Sequence, residues 1–589
     1  MFRVPRFCVV FTLVSAACFS QSPSEPAAPH ATGPTQSPAA AKAGEGAAPS
    51  ASGSAVAPAP PDPLGEALSL YRRGSFDAAI AKYQEFLQQH PQSADAYAGL
   101  VRVYLRQKKV ELAAQIAEKG FAQTNAPRMR IARGEVWFRQ GKISEAENEW
   151  TSVINAGFPD ARAYLGLARV RDAVAMYKGA KRAIDRAHEL DPTDPDIYEE
   201  WIGTLPRADR IKFLEDSLAG ENNWSADERG AAASYLELLK ERAKQKSSSC
   251  HLVSKVDATE TPLVRLQSDP EHLRGYGLSV VLNGHKSELM LDTGAGGILV
   301  KRSIAEHAGI SKITATKIGG IGDKGRRNAY VGVADSIKIG KLEFQNCQVG
   351  VMEGRTVGGE EGLIGADVFE DFLVDIDFPS EQLRLSQLPK RPGEPEQKPS
   401  LKSEEDDADD SAAPEPGDDS KGGVGAKDAS TKTAPPAASW FGPQDRYVAP
   451  EMQSYSRVFR FGHDLLIPTG IGKVPPKLFL IDTGSLMNFI SPAAAREVTK
   501  VHGDSDRIVE GLSGRVANVY SANKAVLQFG RLRQENQEMI SFDTTALSDS
   551  VGVEVSGFLG FILLRFLDIK IDYRDALVDF TYDPKRFGQ

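Results

Sequence analysis

The chain has 589 residues, of which 41% are hydrophobic and 25% are charged. It is too long for a single hydrophobic core, so we expect several domains. The net charge is −9, and residues 391–439 hold 12 acidic and 6 basic residues, so the rest of the chain is almost neutral. A nucleic-acid-binding protein needs a basic face, so we expect no nucleic-acid partner. No internal apolar run reaches the roughly 18 residues of a membrane-spanning helix.

The N-terminus has the pattern of a secretory signal. Arg3 and Arg6 precede an apolar run over residues 7–19, and small residues and a Pro/Ala-rich stretch follow. This pattern predicts a signal peptide at 1–20 and an exported protein, periplasmic or secreted. Cys18 follows three small residues that resemble a bacterial lipoprotein site, so a lipid anchor at Cys18 is an alternative to a free exported form.

Two stretches have compositions that do not support folding. Residues 21–63 contain 13 Ala and 10 Pro, and residues 391–439 contain no aromatic residue. Neither can bury enough apolar surface to offset the entropy of ordering. We therefore predict a disordered Pro/Ala-rich linker at 21–63 and a disordered acidic linker at 391–439, with about three folded domains around them.

The cysteines and histidines predict no metal site. After removal of the signal, at most Cys18, Cys250 and Cys347 remain. A disulfide between the last two is compatible with export, but we expect two unconnected thiols. No cysteine pair has metal-ligand spacing and no His-Glu-x-x-His motif is present, so we expect neither a metal nor another cofactor.

A helical repeat is predicted over residues 64–246. Small residues recur at Ala79, Ala113, Ala146 and Ala180, at spacings of 34, 33 and 34 residues. A small residue lets two helices approach closely, and this spacing resembles the tetratricopeptide repeat, a helix–turn–helix unit. The resemblance implies an all-α solenoid with a protein partner on its concave surface. Residues 194–246 continue as amphipathic helix that caps the solenoid, and we expect Trp150 to pack in the core.

A second kind of repetition follows residue 250. An apolar strand end runs into Asp292-Thr293-Gly294-Ala295, and 190 residues later another runs into Asp482-Thr483-Gly484-Ser485. One such triplet arises easily by chance, whereas two copies behind apolar strands do not. About 70 residues after each aspartate comes another matched block, and the two blocks are Gly362-Leu363-Ile364-Gly365 and Gly557-Phe558-Leu559-Gly560. Between the motifs, each copy has a glycine-rich turn, with Gly319, Gly320 and Gly322 in the first and Gly511 and Gly514 in the second.

This arrangement resembles the retropepsin-like aspartyl proteases. The resemblance implies two all-β acid protease domains, at 258–390 and 440–589. The second copy departs from the pattern after Gly560, with Phe561-Ile562 in place of Ala366-Asp367, and also at Leu486-Met487-Asn488.

Peptide hydrolysis explains why two copies are needed. Two carboxyl groups about 3 Å apart cannot both ionise, so they share one proton, and the pair can activate a water and protonate the scissile carbonyl. The resemblance implies that Asp292 and Asp482 form this catalytic dyad. It also implies that Thr293, Gly294, Thr483 and Gly484 support the dyad and that the two glycine-rich turns are flaps over the substrate. One chain could supply both aspartates as an intramolecular pseudo-dimer, and homodimerisation of each copy is the rival arrangement.

The sequence therefore predicts an exported aspartic-type endopeptidase that acts on a peptide or protein. The alternative is a non-catalytic scaffold for protein interaction with degenerate protease folds. Residues 320–325 also match the dinucleotide fingerprint Gly-x-Gly-x-x-Gly, but that motif must lie between a strand and a helix. Strand-like sequence follows it here, so we do not expect nucleotide binding.

Overall fold

The computed structural model describes residues 62–220, 226–244, 250–269, 272–354, 361–392 and 445–586. The predicted signal peptide at 1–20 lies outside the described residues. So do both predicted linkers, apart from residues 62–63 and 391–392. No described helix combines the length and the apolar character needed to cross a membrane.

The N-terminal half is an all-α solenoid, as the 34-residue period predicts. Ala79, Ala113 and Ala146 are completely buried, because each lies where two helices touch. The final segment forms three separate helices rather than one. The helices are α1 (Pro63–Arg72), α2 (Phe76–Gln89), α3 (Ala94–Arg106), α4 (Val110–Thr124), α5 (Pro127–Arg139), α6 (Ile143–Asn155), α7 (Ala161–Ala173), α8 (Tyr177–Leu190), α9 (Pro195–Ile202), α10 (Arg207–Ala219) and α11 (Ala226–Lys244).

Trp150 is a core residue, as expected. It is 1% exposed, and its indole nitrogen donates a hydrogen bond of 3.1 Å to the Ile131 carbonyl. Gly134 and Gly166 lie against the ring on either side, and a Cβ on them would come within 2.6 and 2.5 Å of indole atoms. The large ring thus fills the space that the two glycines leave.

Charged side chains from several odd-numbered helices form one buried network. Arg162 in α7 donates to Glu135 in α5 and to Asp194 and Asp196 at the start of α9. Tyr71 in α1 donates to Asp196 across the solenoid, at 3.0 Å. Buried charges are tolerated when they are paired in this way. Helices α1 and α9 are therefore joined by side chains of the chain itself.

The first protease-like copy, residues 258–390, is built on a nine-stranded sheet. The elements are β1 (His251–Leu252), β2 (Ala258–Pro262), β3 (Val264–Asp269), β4 (His272–Leu282), β5 (His285–Asp292), β6 (Ile298–Lys301), α12 (Arg302–His307), β7 (Lys312–Ile318), β8 (Arg327–Ile339), β9 (Leu342–Met352), β10 (Gly362–Gly365), β11 (Phe372–Asp377) and β12 (Gln382–Gln387). The main strand order of the nine-stranded sheet is β1-β9-β6-β10-β5-β4-β8-β7, with β3 beside β4.

The second copy, described over residues 445–586, repeats this plan in a ten-stranded sheet of order β18-β21-β24-β17-β25-β16-β15-β22-β23, with β14 beside β15. Its elements are β13 (Ser456–Arg457), β14 (Phe459–Phe461), β15 (Asp464–Ile471), β16 (Lys477–Asp482), β17 (Phe489–Ile490), α13 (Pro492–Arg496), β18 (Val501–Gly503), β19 (Glu510–Gly511), β20 (Gly514–Arg515), β21 (Val519–Ala522), β22 (Ala525–Phe529), β23 (Leu532–Asn536), β24 (Met539–Phe542), α14 (Thr545–Val551), β25 (Gly557–Gly560), α15 (Phe561–Leu564), β26 (Asp568–Asp572) and β27 (Leu577–Thr581).

A third sheet joins the two copies. Its order is β13-β27-β26-β11-β12-β2, so each copy supplies three of the six strands. The junction is the antiparallel pair β11–β26, in which Val374 faces Ile571 and Ile376 faces Ile569. All four side chains are completely buried. The apolar residues on this face therefore stabilise the pairing of the copies as well as each copy alone.

The expectation of two unconnected thiols is wrong, because Cys250 and Cys347 form a disulfide. Strand β1 pairs with β9 in the register His251 opposite Gln345, and this brings the preceding cysteine to the β9 sulfur. The bond links two cysteines that are 97 residues apart in the sequence. It connects the residue before β1 to β9 of the nine-stranded sheet.

The solenoid packs against the second copy. The Phe138 and Phe461 rings lie 6.3 Å apart, and the Glu554 amide donates to the Arg139 carbonyl at 2.9 Å. Asp445 accepts hydrogen bonds from the amides of Lys178 and Gly179, both at 2.9 Å. These are the first turn of α8, so Asp445 satisfies amides that have no partner within the helix.

Candidate active site

Two buried strands deliver the aspartates of the repeated motif to one place. Asp292 ends β5 and Asp482 ends β16. Each strand pairs in parallel with the strand of its second matched block, so that Gly365 lies opposite Asp292 and Gly560 opposite Asp482. The apolar residues before each aspartate anchor the strand end in the core, and the following turn is therefore held on a rigid support.

The two threonines bind the turns to each other across an approximate twofold axis. The Thr293 amide donates to Thr483 Oγ1 at 3.0 Å, and the Thr483 amide donates to Thr293 Oγ1 at 3.0 Å. Each hydroxyl then donates to a carbonyl of the opposite copy, at 2.7 Å to Ile481 and 2.9 Å to Leu291. Thr293 is 0% and Thr483 2% exposed, so this network is shielded from water.

The two glycines of the motif bring each turn against the opposite carboxyl group. A Cβ on Gly294 would lie 2.9 Å from Asp482 Cγ, and one on Gly484 would lie 2.6 Å from Asp292 Oδ1. Any larger residue would push the carboxyl groups aside. Gly294 also donates its amide to Asp292 at 2.8 Å, and Gly484 donates to Asp482 at 3.0 Å.

The electrostatics are those of two carboxyl groups that share a proton. Burial raises the pKa of Asp292, and hydrogen bonds from the Gly294 amide and from Asp482 oppose that rise. Burial together with the negative charge of Asp292 raises the pKa of Asp482 well above its usual range. These opposing influences favour one ionised and one protonated carboxyl group in the pair.

The predicted flap glycines of the two copies meet each other. The Gly320 amide donates to Ser513 Oγ at 3.1 Å, and the Ser513 amide donates to the Ile321 carbonyl at 2.9 Å. A Cβ on Gly322, where φ is +126°, would lie 2.6 Å from the Gly514 nitrogen, and one on Gly511 would lie 2.6 Å from the Ile321 side chain. The turns thus contact each other through backbone that only glycine allows to approach so closely. Gly319 lies beside them, next to Arg326.

The departures in the second copy go with different contacts in its turn. In the first copy, the Gly297 amide donates to Asp367 at 3.0 Å. In the second, the Gly560 amide donates to Asn488 Oδ1 at 2.8 Å, and the Phe561 amide donates to the Ser485 carbonyl at 2.7 Å. The turn after each aspartate is therefore held by a different set of hydrogen bonds in each copy.

Three titratable residues near the dyad were not predicted. His463 lies in the hairpin between β14 and β15 of the second copy, against Gly296 of the first, and it is followed by the buried Asp464. The third unpredicted residue is Asp367, and burial raises the pKa of its carboxyl group to about 6. His463 contacts the other copy across 167 residues of sequence and belongs to no motif, so no local pattern pointed to it.

Two further points concern nucleotide and metal sites. The glycine-rich run at 320–325 is followed by strand β8, not by a helix, so it lacks the setting of a dinucleotide site. Among the described residues, no group of three or more His, Cys, Asp and Glu is arranged to hold a metal ion.

Comparison with known proteins supports both halves. Residues 278–368 match the family model described as aspartyl protease, and residues 64–127 match that of the tetratricopeptide repeat. These matches confirm the predicted combination of helical repeats with an aspartyl protease region. The first match ends before the second copy begins.

Individual relatives match over short segments. The chain is 29% identical over 110 residues to the UBA domain-containing protein Mud1 of Schizosaccharomyces pombe, a segment covering 18% of this chain and 32% of that protein. It is 32% identical over 108 residues to the DNA damage-inducible protein 1 of Chaetomium globosum, covering 18% and 23%. The chain thus spans a third or less of these relatives. A retropepsin-like aspartic protease from Rickettsia conorii is similar at 21% identity, with a TM-score of 0.17, over 24% of this chain and 96% of its own.

Proposed function

We propose that the chain is an aspartic-type endopeptidase with one active site, formed by Asp292 of the first copy and Asp482 of the second. The observation that carries the proposal is the reciprocal bonding of Thr293 and Thr483, which joins the two loops that carry the aspartates. A homodimer would need two chains for the same arrangement. Here one chain contains both halves, and the six-stranded sheet joins them.

The arrangement supports hydrolysis by an activated water. The ionised carboxylate accepts a proton from the water molecule, and the water oxygen attacks the scissile carbonyl carbon. The protonated carboxyl group donates its proton to the carbonyl oxygen, which gives a tetrahedral gem-diol. As the C–N bond breaks, the carboxyl group that took the proton from water passes it to the leaving nitrogen, and the other recovers a proton from a gem-diol hydroxyl group. The flap turns that meet at Gly320 and Ser513 would cover the bound peptide and exclude bulk water.

Proteolysis is tested with purified full chain and a mixed peptide library from pH 3 to 7, with and without pepstatin. We expect Asp292→Asn and Asp482→Asn each to abolish cleavage, because each removes one carboxyl group of the pair. Asp335→Asn, an exposed aspartate of the first copy, is the matched control and should cleave normally. Activity that survives Asp482→Asn would indicate a homodimer of the first copy. Absence of cleavage at every pH would favour the non-catalytic scaffold.

We also propose that the protein is exported, to the periplasm or beyond. The N-terminal signal pattern and the disulfide between Cys250 and Cys347 support this location, because disulfides persist in oxidising compartments. Cell fractionation of a bacterial host that expresses the full chain, with mass spectrometry of the mature N-terminus, tests it. An intact N-terminus in the cytoplasmic fraction would refute export, and a diacylglycerol-modified Cys18 would establish the lipid-anchored form.

A protein partner for the repeats is a further proposal, supported by the match to tetratricopeptide repeats. Arg162 is buried and already bonds to acidic side chains of the chain itself, so it is not offered as a partner contact. Crosslinking in the native host followed by mapping of the linked residues tests this, and links confined to the protease half would contradict it.

A further inference from the structure

Cationic side chains stand at matched positions in the two flap turns. In the first copy, Lys324 follows Ile321 by three residues, and in the second copy Arg515 follows Leu512 by three residues. Both cationic residues are exposed. The chemistry of the dyad requires no positive charge at this position, so its recurrence in both copies needs another explanation.

The backbones of the two turns bring these positions together. The Lys324 amide donates to the Ser513 carbonyl at 2.9 Å, and the Asp323 amide donates to the Arg515 carbonyl at 3.3 Å. A Cβ on Gly514 would lie 2.8 Å from Lys324 Cδ, so the aliphatic part of the lysine lies along the turn of the second copy. The lysine and the arginine therefore belong to one joint surface.

Two arginines of the first copy extend this surface. Arg326 is exposed, and a Cβ on Gly319 would lie 3.4 Å from its Cγ, so its stem lies beside the turn. Arg327 Nη1 donates to the Leu512 carbonyl at 3.3 Å and so reaches the turn of the second copy. We call the following four residues the flap cations: Lys324, Arg326, Arg327 and Arg515.

Two carboxylates in the same segments do not neutralise the flap cations. Asp323 accepts a hydrogen bond of 2.6 Å from the Ala517 amide, and Glu510 stands opposite Arg515 in the β19–β20 hairpin. Four positive and two negative side chains leave an excess of positive charge here, in a chain whose net charge is −9. The junction of the flaps thus has the opposite sign of charge to the chain as a whole.

Like charges on one surface repel each other, and an anion that lies between them relieves the repulsion. Lys324 and Arg326 form no ion pair in the described part of the chain. Under the proposed function, the flaps cover a bound peptide, so carboxylates of that peptide are the anions within reach. A nucleic acid needs a broad basic face, and the flap cations form only a narrow strip.

We propose that the flap cations are specificity-determining residues that select peptides with acidic side chains in the segment that the flaps cover. The inference rests on the proposed function and names its substrate class. Asp and Glu side chains of a peptide are ionised above about pH 4.3, so the preference acts at pH 5.5 and fades towards pH 3. Exposed ion pairs are screened by salt, so the preference also weakens as the ionic strength rises.

The first experiment compares KM for two peptides that share one scissile sequence and carry either Glu or Gln at the flanking positions. At pH 5.5, we expect KM of the wild type to be about tenfold lower for the Glu peptide, because several modest ion pairs add together. Neutralising three flap cations should raise KM for the Glu peptide to that of the Gln peptide and change kcat far less. Arg327 is kept, since it also bonds the two flaps together. The substitutions are Lys324→Gln, Arg326→Gln and Arg515→Gln.

A matched control removes the same charge from exposed lysines in hairpins outside the flaps. Its substitutions are Lys286→Gln, Lys341→Gln and Lys473→Gln. The control should keep the wild-type preference for the Glu peptide. Equal KM values for the Glu and Gln peptides with an active wild type would overturn the inference while the proposed function stands.

The second experiment measures binding and needs no cleavage. The full chain with Asp292→Asn is titrated against fluorescein-labelled Glu and Gln peptides, with fluorescence anisotropy as the readout. We expect tighter binding of the Glu peptide, which weakens between about 50 mM and about 300 mM salt and is lost when the three flap cations are neutralised. Equal binding of the two peptides, or tighter binding of a labelled oligonucleotide of the same net charge, would overturn the inference. Selective binding of the Glu peptide by a protein that cleaves nothing would sustain it and refute the proposed function.

Discussion

The bonding of the two threonines allows a sharp test of how the copies are held together. Thr483→Val keeps the shape of the side chain but removes its hydroxyl. The hydroxyl accepts from the Thr293 amide at 3.0 Å and donates to the Leu291 carbonyl at 2.9 Å. Both backbone groups would be left buried without these partners, at about 1–3 kcal/mol each. We therefore expect the free energy of unfolding to fall by about 2–6 kcal/mol.

The assay is urea unfolding followed by tryptophan fluorescence and circular dichroism, with kcat measured on the same preparations. Thr316→Val is the matched control. Thr316 is 8% exposed, and its hydroxyl has no hydrogen-bond partner in the described part of the chain, so its removal should be neutral or slightly stabilising. Equal unfolding curves for the two valine variants would refute the argument that the threonine bonds clamp the copies.

Three further predictions concern pH, redox state and steric fit. Burial and a neighbouring carboxyl group raise the pKa of Asp568 in the inter-copy sheet to about 7. Its protonated form therefore contributes fully below about pH 4, and stability falls as the pH rises through 7. Asp568→Asn should flatten that decline in urea titrations, and an unchanged slope would contradict this. Cys347→Ser opens a separation of 97 residues and should lower the unfolding free energy by about 2–5 kcal/mol, as should reduction of the wild type. Gly484→Ala should abolish cleavage with the fold retained, because its Cβ would strike the Asp292 carboxyl group, whereas Gly503→Ala meets open space and should remain active.

Repetition made most of the fold and the dyad predictable. The alanines near period 34 could be recognised because close helix contact requires a small residue there, and Ala79 and Ala113 are indeed completely buried. The aspartates could be paired because their motifs and the strands behind them recur. In both cases, a local physical requirement selects the same residue type at a fixed spacing, and this recurrence can be detected in a single sequence.

No recurring sequence pattern indicated the disulfide. Cys250 and Cys347 are 97 residues apart, and only the register of β1 on β9 brings them together. The residues around Asp292 were missed for the same reason. His463 of the second copy lies against Gly296 of the first. From the sequence alone, Gly296 is indistinguishable from an ordinary turn glycine, because the His463 ring that contacts it is far away in the chain. Contacts between distant, non-repeating residues depend on tertiary packing and are not specified by local pattern.

The solenoid contacts both copies, but at different places. Helix α11 lies against β7 of the first copy, and α7 lies against β14 of the second. Here the solenoid residue Phe138 packs on Phe461 at 6.3 Å, in the hairpin of the second copy that carries His463 two residues later. Ion pairing of the buried Arg460 with Glu370, at 2.5 Å, fixes the same hairpin to the first copy. The solenoid and the first copy thus both contact the hairpin that carries His463, and this hairpin lies against Gly296 in the loop that follows Asp292.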